Sequence, residues 1–289
     1  MKSRFTLAAM VVAAAVLATV PTAPAFADLK TPRPSPNGSV MQTIGVTDVT
    51  VTYSRPGVKG RVIWGELVPF DAVWRTGANE ATRISFSDDV MVAGKKLAAG
   101  TYSLHTLPGK AEWTVIFNSV ADQWGSYSYD EKKDVLRVSL KPEAAPMTEL
   151  MTFSFPQTTA STATLALDWE KVRLSIPIEV DTPKIVRARA KEAVATAKAD
   201  DWRTPLQASR WARDSKLPEA DEYLEKSIAA KATFGALSDK AKAQAEKGKK
   251  AEAIATGEKA LAVAKTQEPK PAPEAIAAFE KTVTEWRKK

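Results

Sequence analysis

The chain has 289 residues, a formal net charge of +7, one histidine and no cysteine. Without thiols it has no disulfides, no thiolate metal site and no lipid-bearing N-terminal cysteine, and a single imidazole cannot supply the ligands of a zinc centre. No metal or cofactor is expected, and stability has to come from an ordinary buried core.

Lys2 and Arg4 precede an apolar run over residues 5–20, and Ala25-Phe26-Ala27 has the small-x-small form that signal peptidase cuts. Residues 1–27 are predicted to be a signal peptide, which makes Asp28 the first mature residue and the location periplasmic or secreted. The run is short for a membrane span and is broken by Pro21 and Pro24, and no later stretch is apolar enough to cross a bilayer. No transmembrane segment is therefore expected after cleavage, and export argues against nucleic acid as a partner. Residues 28–182 carry 16 Lys and Arg against 18 Asp and Glu, whereas residues 183–289 carry 23 against 16. The positive charge thus belongs to the C-terminal part, where it reads as a solvated lysine-rich helical surface or as a patch for an anionic envelope surface.

Pro32, Pro34, Pro36 and Asn37-Gly38 mark residues 28–39 as an extended lead-in. Then the period becomes two. Val49, Val51 and Tyr53 alternate with threonines, and the alternation returns at Ile84 and Phe86, Tyr102 and Leu104, Trp113 to Phe117, Leu136 to Leu140, and Met151 to Phe155. Leu165 to Trp169 and Val172 to Ile178 read as two more strands joined through Trp169-Glu170-Lys171. Ser87-Asp88-Asp89, Ala93-Gly94 and Pro108-Gly109 are turn signals. Many short strands without intervening amphipathic helices predict an all-β antiparallel sandwich, or jelly-roll-like domain, over residues 28–182.

From residue 183 the composition shifts to Ala, Lys and Glu, and an all-α helix-hairpin segment is predicted over 183–289. Ile185, Val186, Ala190, Ala193, Val194 and Ala197 make one apolar stripe. Thr204-Pro205 and Leu217-Pro218 read as helix starts, Ser238 as the cap of a helix that Gly248 ends, and Pro269, Pro271 and Pro273 as a break before the last helix. Residues 210–231 share Ala212, Lys216, Glu219, Ala220, Lys226 and Ala229 with positions 33 further on, an offset that suits a helix-pair repeat of the tetratricopeptide kind or simply packed antiparallel helices.

Ser103 and His105 fall on one strand face, but no acid partner is evident and no Gly-x-Ser-x-Gly elbow exists. Gly-rich phosphate loops and EF-hand loops are also missing. What remains is a polar and aromatic cluster: Arg55, Arg61, Trp74, Arg75, Asn79 and Glu80, followed by Trp124 and Asp130. Guanidinium groups, an amide, carboxylates and indole faces suit sugars or small anions, through bidentate hydrogen bonds and stacking. The structural alternative makes Arg75 and Glu80 a buried pair and the tryptophans core.

Tyr53-Ser54-Arg55-Pro56, Lys59-Gly60-Arg61, Leu67-Val68-Pro69-Phe70, the run from Trp74 to Thr82, Gly94-Lys95-Lys96-Leu97, Ala99 to Leu104, Trp124-Gly125 and Tyr129-Asp130 stand in an order that resembles the bacterial domain of unknown function 2911 family. The resemblance covers residues 30–180 and implies an exported, mostly β domain, sometimes with a helical tail and with no assigned activity. His105 stands where that pattern implies an aromatic or apolar residue. The leading expectation is a non-enzymatic envelope protein binding a small ligand, a glycan or an envelope protein. One alternative is a glycan hydrolase with Glu80 and Asp130 as its carboxylates, and another is a helical-repeat scaffold for a peptide or protein.

Overall fold

Alternation of β-branched and polar residues over Thr47–Ser54 makes a strand (β2) that buries Val49, Val51 and Tyr53 and leaves Thr50 and Thr52 outward. It pairs with β1 (Asn37–Ile44) and β3 (Thr82–Phe86). The computed structural model describes residues 31–288; the predicted signal peptide, residues 1–27, lies outside the described residues. Two antiparallel sheets result. The first has six strands in the order β1-β2-β3-β6-β7-β8, where β6 is Gly100–Pro108, β7 Trp113–Asn118 and β8 Asp134–Leu140. The second has four, in the order β5-β4-β10-β9, where β4 is Val90–Val92, β5 Lys95–Leu97, β9 Glu143–Thr158 and β10 Thr162–Glu179.

The inward residues of both sheets fuse into one core: Val51, Ile84, Leu104, Val115 and Phe117 from the first, with Val92, Phe153, Leu167, Leu174 and Ile176 from the second. At one end of it Trp74 stacks on Trp169, with centroids 5.6 Å apart, and Trp64 meets Trp74, Trp113 and Trp169 edge-on. Two local features differ from the periodicity reading. The lead-in ends at Asn37, where β1 begins, because Val40 and Ile44 alternate inward against β2. Trp169-Glu170-Lys171 is no connection: β10 runs through it as one strand of 18 residues. Glu170 takes a positive φ of 56° at a pair of register shifts, a bulge that lets an 18-residue strand bend while keeping its apolar side chains inward.

Six helices follow among the described residues: α1 (Thr182–Thr196), α2 (Arg203–Asp214), α3 (Ala220–Ala230), α4 (Phe234–Glu246), α5 (Lys250–Thr266) and α6 (Pro273–Lys288). α1 is tied back to the strands by Arg189, which donates to Asp88 at 2.6 Å and to the Val46 carbonyl at 3.3 Å. Two caps differ from expectation. The Asp201 carboxylate, not Thr204, accepts the first amides of α2, from Arg203 and Thr204. Thr233, in extended conformation, caps α4 by accepting from the Ala236 amide at 3.2 Å, so Ser238 lies inside the helix. The reason is the apolar stripe, which starts at Phe234 and continues through Leu237 and Ala241 to pack on Ala260, Phe279 and Val283. None of the described helices is long and apolar enough to cross a membrane.

Candidate functional site

The register of the first sheet aligns a row of polar residues on its outer face. Thr52 pairs with Arg83, Arg83 with Ser103, Ser103 with Asn118, and Asn118 with Asp134. The two ends of this row have different fates. Residues 119–133 leave β7, fold back over β6, β7 and β8, and return through a 3-10 turn at Glu131–Lys133. Ser103, Asn118 and their neighbour His105 are thereby fully buried, while Thr52 and Arg83 stay open.

At the border between covered and open face lies a cleft of about 370 Å³. Thr52, Ser54 and Arg83 form its floor, Asn37 and Glu80 lie along it, and Asp122, Gln123 and Trp124 form the wall. That wall is fixed by main-chain bonds: Ala81 N–H donates to the Gln123 carbonyl at 2.9 Å, Gly125 N–H to the Asn79 carbonyl at 3.0 Å, and Glu80 bridges Trp124. Arg83 and Asp122 form an ion pair across the cleft at 3.0 Å. Trp124 stands at the lip with 60% of its surface exposed, and Tyr127, further out on the same loop, is 85% exposed.

The segment that carries Glu80 is itself tightly knotted. Thr76, a β-branched residue, sits at a φ of 51°, which an L side chain adopts only when its surroundings enforce it. Here the Trp74 carbonyl and Thr106 hydroxyl bond its own hydroxyl, and its carbonyl accepts from Thr82 at 2.7 Å.

Of the residues singled out from the sequence, the cleft brings together Glu80 and Trp124. The others serve the frame. Arg55 crosses to β9, donating to the Met151 carbonyl at 2.9 Å and the Thr152 hydroxyl at 2.6 Å. Arg61 folds onto the carbonyls of Val58 and Gly57. Trp74 is core and donates to the Gly77 carbonyl. The Arg75 carbonyl accepts from Thr82 N–H, Asn79 turns the chain at a φ of 57°, and the Asp130 carboxylate caps the 3-10 turn by accepting from Lys132. Asp130 does not line the cleft, so Glu80 has Asp122, not Asp130, as its companion carboxylate there. Asn37, Thr52 and Arg83 carry no signal of a site in the sequence because outward polar residues on a strand look like ordinary wet-face residues, and Asp122 and Gln123 carry none because polar residues are ordinary in a loop.

Beneath the loop, Ser103 and His105 do share a face. The imidazole Nε2 lies 3.2 Å from Ser103 Oγ and Nδ1 3.3 Å from Ser126 Oγ, the tautomer being open. The acid of this neighbourhood is Asp134, which accepts from Tyr129 OH at 2.6 Å and from Asn118 at 2.8 Å. Burial pulls the imidazole down to about 4, with Asp134 opposing, so His105 is neutral at physiological pH. Burial and the bond to Asp134 hold the Tyr129 phenol far above its usual range. Because Ser103 is sealed from solvent, this constellation has no access for a substrate.

Comparison with curated proteins and with solved structures gives no match for the chain. A family model does match, over residues 35–178, which is the whole of the sandwich up to the end of its last strand. The family so matched is described as Protein of unknown function (DUF2911).

Proposed function

We propose that the protein is a non-enzymatic recognition module of the bacterial envelope, exported by its N-terminal segment, whose cleft takes a small uncharged polyhydroxyl ligand such as a sugar or glycan end. The observation that carries this reading is Trp124, a large aromatic left 60% exposed at the lip of a cleft whose lining mixes alanine with hydrogen-bonding side chains. An indole face stacks on the C–H face of a sugar ring, while the amides of Asn37 and Gln123 and the hydroxyls of Thr52 and Ser54 suit its hydroxyls. A volume of about 370 Å³ is at the small end of ligand pockets, enough for one or two rings. Arg83 is already paired with Asp122 at 3.0 Å, so an incoming anion would have to compete with a carboxylate for the guanidinium, which disfavours an anion.

Titration of the purified protein with a panel of mono- and disaccharides, followed by tryptophan fluorescence and calorimetry, tests the reading. Saturable binding is expected, lost at least about tenfold in Trp124→Ala with the fold unchanged. Binding that Trp124→Ala leaves intact, or a preference for anions over neutral sugars, overturns it. Export is checked by fractionation and N-terminal sequencing: the product is expected outside the cytoplasm, beginning at Asp28. Recovery in the cytoplasm with residue 1 intact would refute that part.

The helices favour a second, compatible reading, a docking scaffold of the tetratricopeptide kind. Ala220, Leu224 and Ser227 of α3 are buried, and so are Ala253, Gly257 and Ala260, the residues 33 positions later in α5. Shared burial at a fixed offset is what a repeated hairpin requires.

A further inference from the structure

We infer that His105 is a proton-operated latch on the cleft: when the buried imidazole takes up a proton, residues 119–133 come away from the sheet, and the wall made by Gln123 and Trp124 goes with them. This rests on the reading of the cleft as a ligand site, whose regulation it describes.

The geometry places the imidazole where the covered face is held shut. One ring nitrogen reaches Ser103 on β6 and the other reaches Ser126 on the loop, so the ring joins strand to cover. Ser103 Oγ in turn accepts from Gln123 Nε2 at 3.2 Å, and Gln123 lines the cleft. His105 is thus two hydrogen bonds from the ligand wall, through Ser103 to Gln123, and on its other side the ring packs on the half-buried Tyr129 of the loop, with centroids 5.1 Å apart.

The ionisable groups around it come from three elements. The loop supplies Tyr129, which stays protonated. The 3-10 turn supplies Glu131, and β8 supplies Asp134 and Arg137. Among the described residues Asp134 is the anion that acts on His105, and it is already engaged by Tyr129, Asn118 and Arg137, the last at 3.1 Å. An imidazolium here is therefore desolvated with a carboxylate partly neutralised by a guanidinium. Opening the loop hydrates it. In the open state the ring titrates near 6.5, and in the closed state near 4. Between those values the open state binds the proton and the closed state does not, so closure is fully present above about 6.5 and is progressively lost as the pH falls toward 4.

Because His105 is the sole histidine, its ring resonances can be followed by NMR in the whole mature protein without ambiguity. The experiment pairs that titration with hydrogen exchange of ligand-free protein, corrected for the intrinsic pH dependence, in wild type and in His105→Gln, which keeps a hydrogen-bonding side chain but cannot titrate. The expected result is a wild-type loop whose exchange rises at least about tenfold as the ring protonates, while β2, β3 and β6 remain protected, and a loop in His105→Gln that shows no such rise. If His105→Gln does not fold, the coincidence of ring titration and loop opening in wild type decides alone. Ring protonation with the loop still protected, an equal rise in His105→Gln, or simultaneous loss of protection throughout the sandwich overturns the latch. Since no ligand is used, failure of sugars to bind at any pH strikes the cleft reading and leaves the latch result standing.

Discussion

Strands β6 and β7 are sealed on both faces over most of their length, by opposite means. Inward, Leu104, Val115 and Phe117 meet the second sheet in an apolar core. Outward, Ser103, His105 and Asn118 are equally inaccessible, but they are covered by a single loop and held by hydrogen bonds. The inner face gains from every carbon removed from water, without regard to direction. The outer face gains little on balance, since each bond replaces one to water, and loses heavily wherever a partner is taken away. The inner face should therefore govern whether the chain folds, and the outer face whether the loop stays down.

The sharpest way to break this contrast is to truncate one residue on each side of the same strand. Phe117→Ala removes a fully buried ring that packs against Phe86 and Tyr102, with centroids 6.2 and 6.5 Å away. A loss of about 3–5 kcal/mol is expected, measured as a fall in the urea midpoint with the sandwich unfolding as one unit. A change confined to the loop, with the global midpoint kept, would show that the inner face is not what holds the sheets together.

The same contrast explains which parts of the molecule were legible in the sequence. Inward residues announce themselves by period two, and Val49, Ile84, Val115 and Leu167 all lie where alternation puts them. The first residues of β1, 37–39, read as lead-in because Asn37-Gly38 follows Pro32, Pro34 and Pro36, and only pairing with β2 makes them strand. β10 was cut in two because a positive φ at Glu170 has no one-residue signature outside Gly and Asn. The family resemblance was legible because long motifs stand in order, yet several of those motif residues build the frame: Arg55, Arg61 and Trp74 satisfy carbonyls or fill the core. The cleft was half legible. Glu80 and Trp124 were singled out, whereas Thr52 and Arg83 become site residues only through a register that sets them side by side. Nothing in the order of residues says that Ser103 and Asn118 are dry, since a loop supplied from further along the chain makes them so.

A smaller effect tests the outer face on its own terms. Asn118 uses its whole side chain at zero exposure: Nδ2 donates to the Asp130 carbonyl at 3.0 Å and to Asp134 Oδ1 at 2.8 Å, and Oδ1 accepts from Val120 N–H at 3.1 Å and Gln123 Nε2 at 3.3 Å. It thus ties both ends of the cover to β7. Asn118→Ala leaves a carbonyl, a carboxylate oxygen and an amide seeking new partners, which costs about 1–3 kcal/mol if all stay buried. Water can reach them once the loop lifts, so the cost should appear mainly as faster exchange and proteolysis within residues 119–133, with a midpoint shift well below that of Phe117→Ala. Equal midpoint shifts for the two variants would mean that the cover folds with the core as a single unit, and the two faces of the sheet would then differ in chemistry but not in cooperativity.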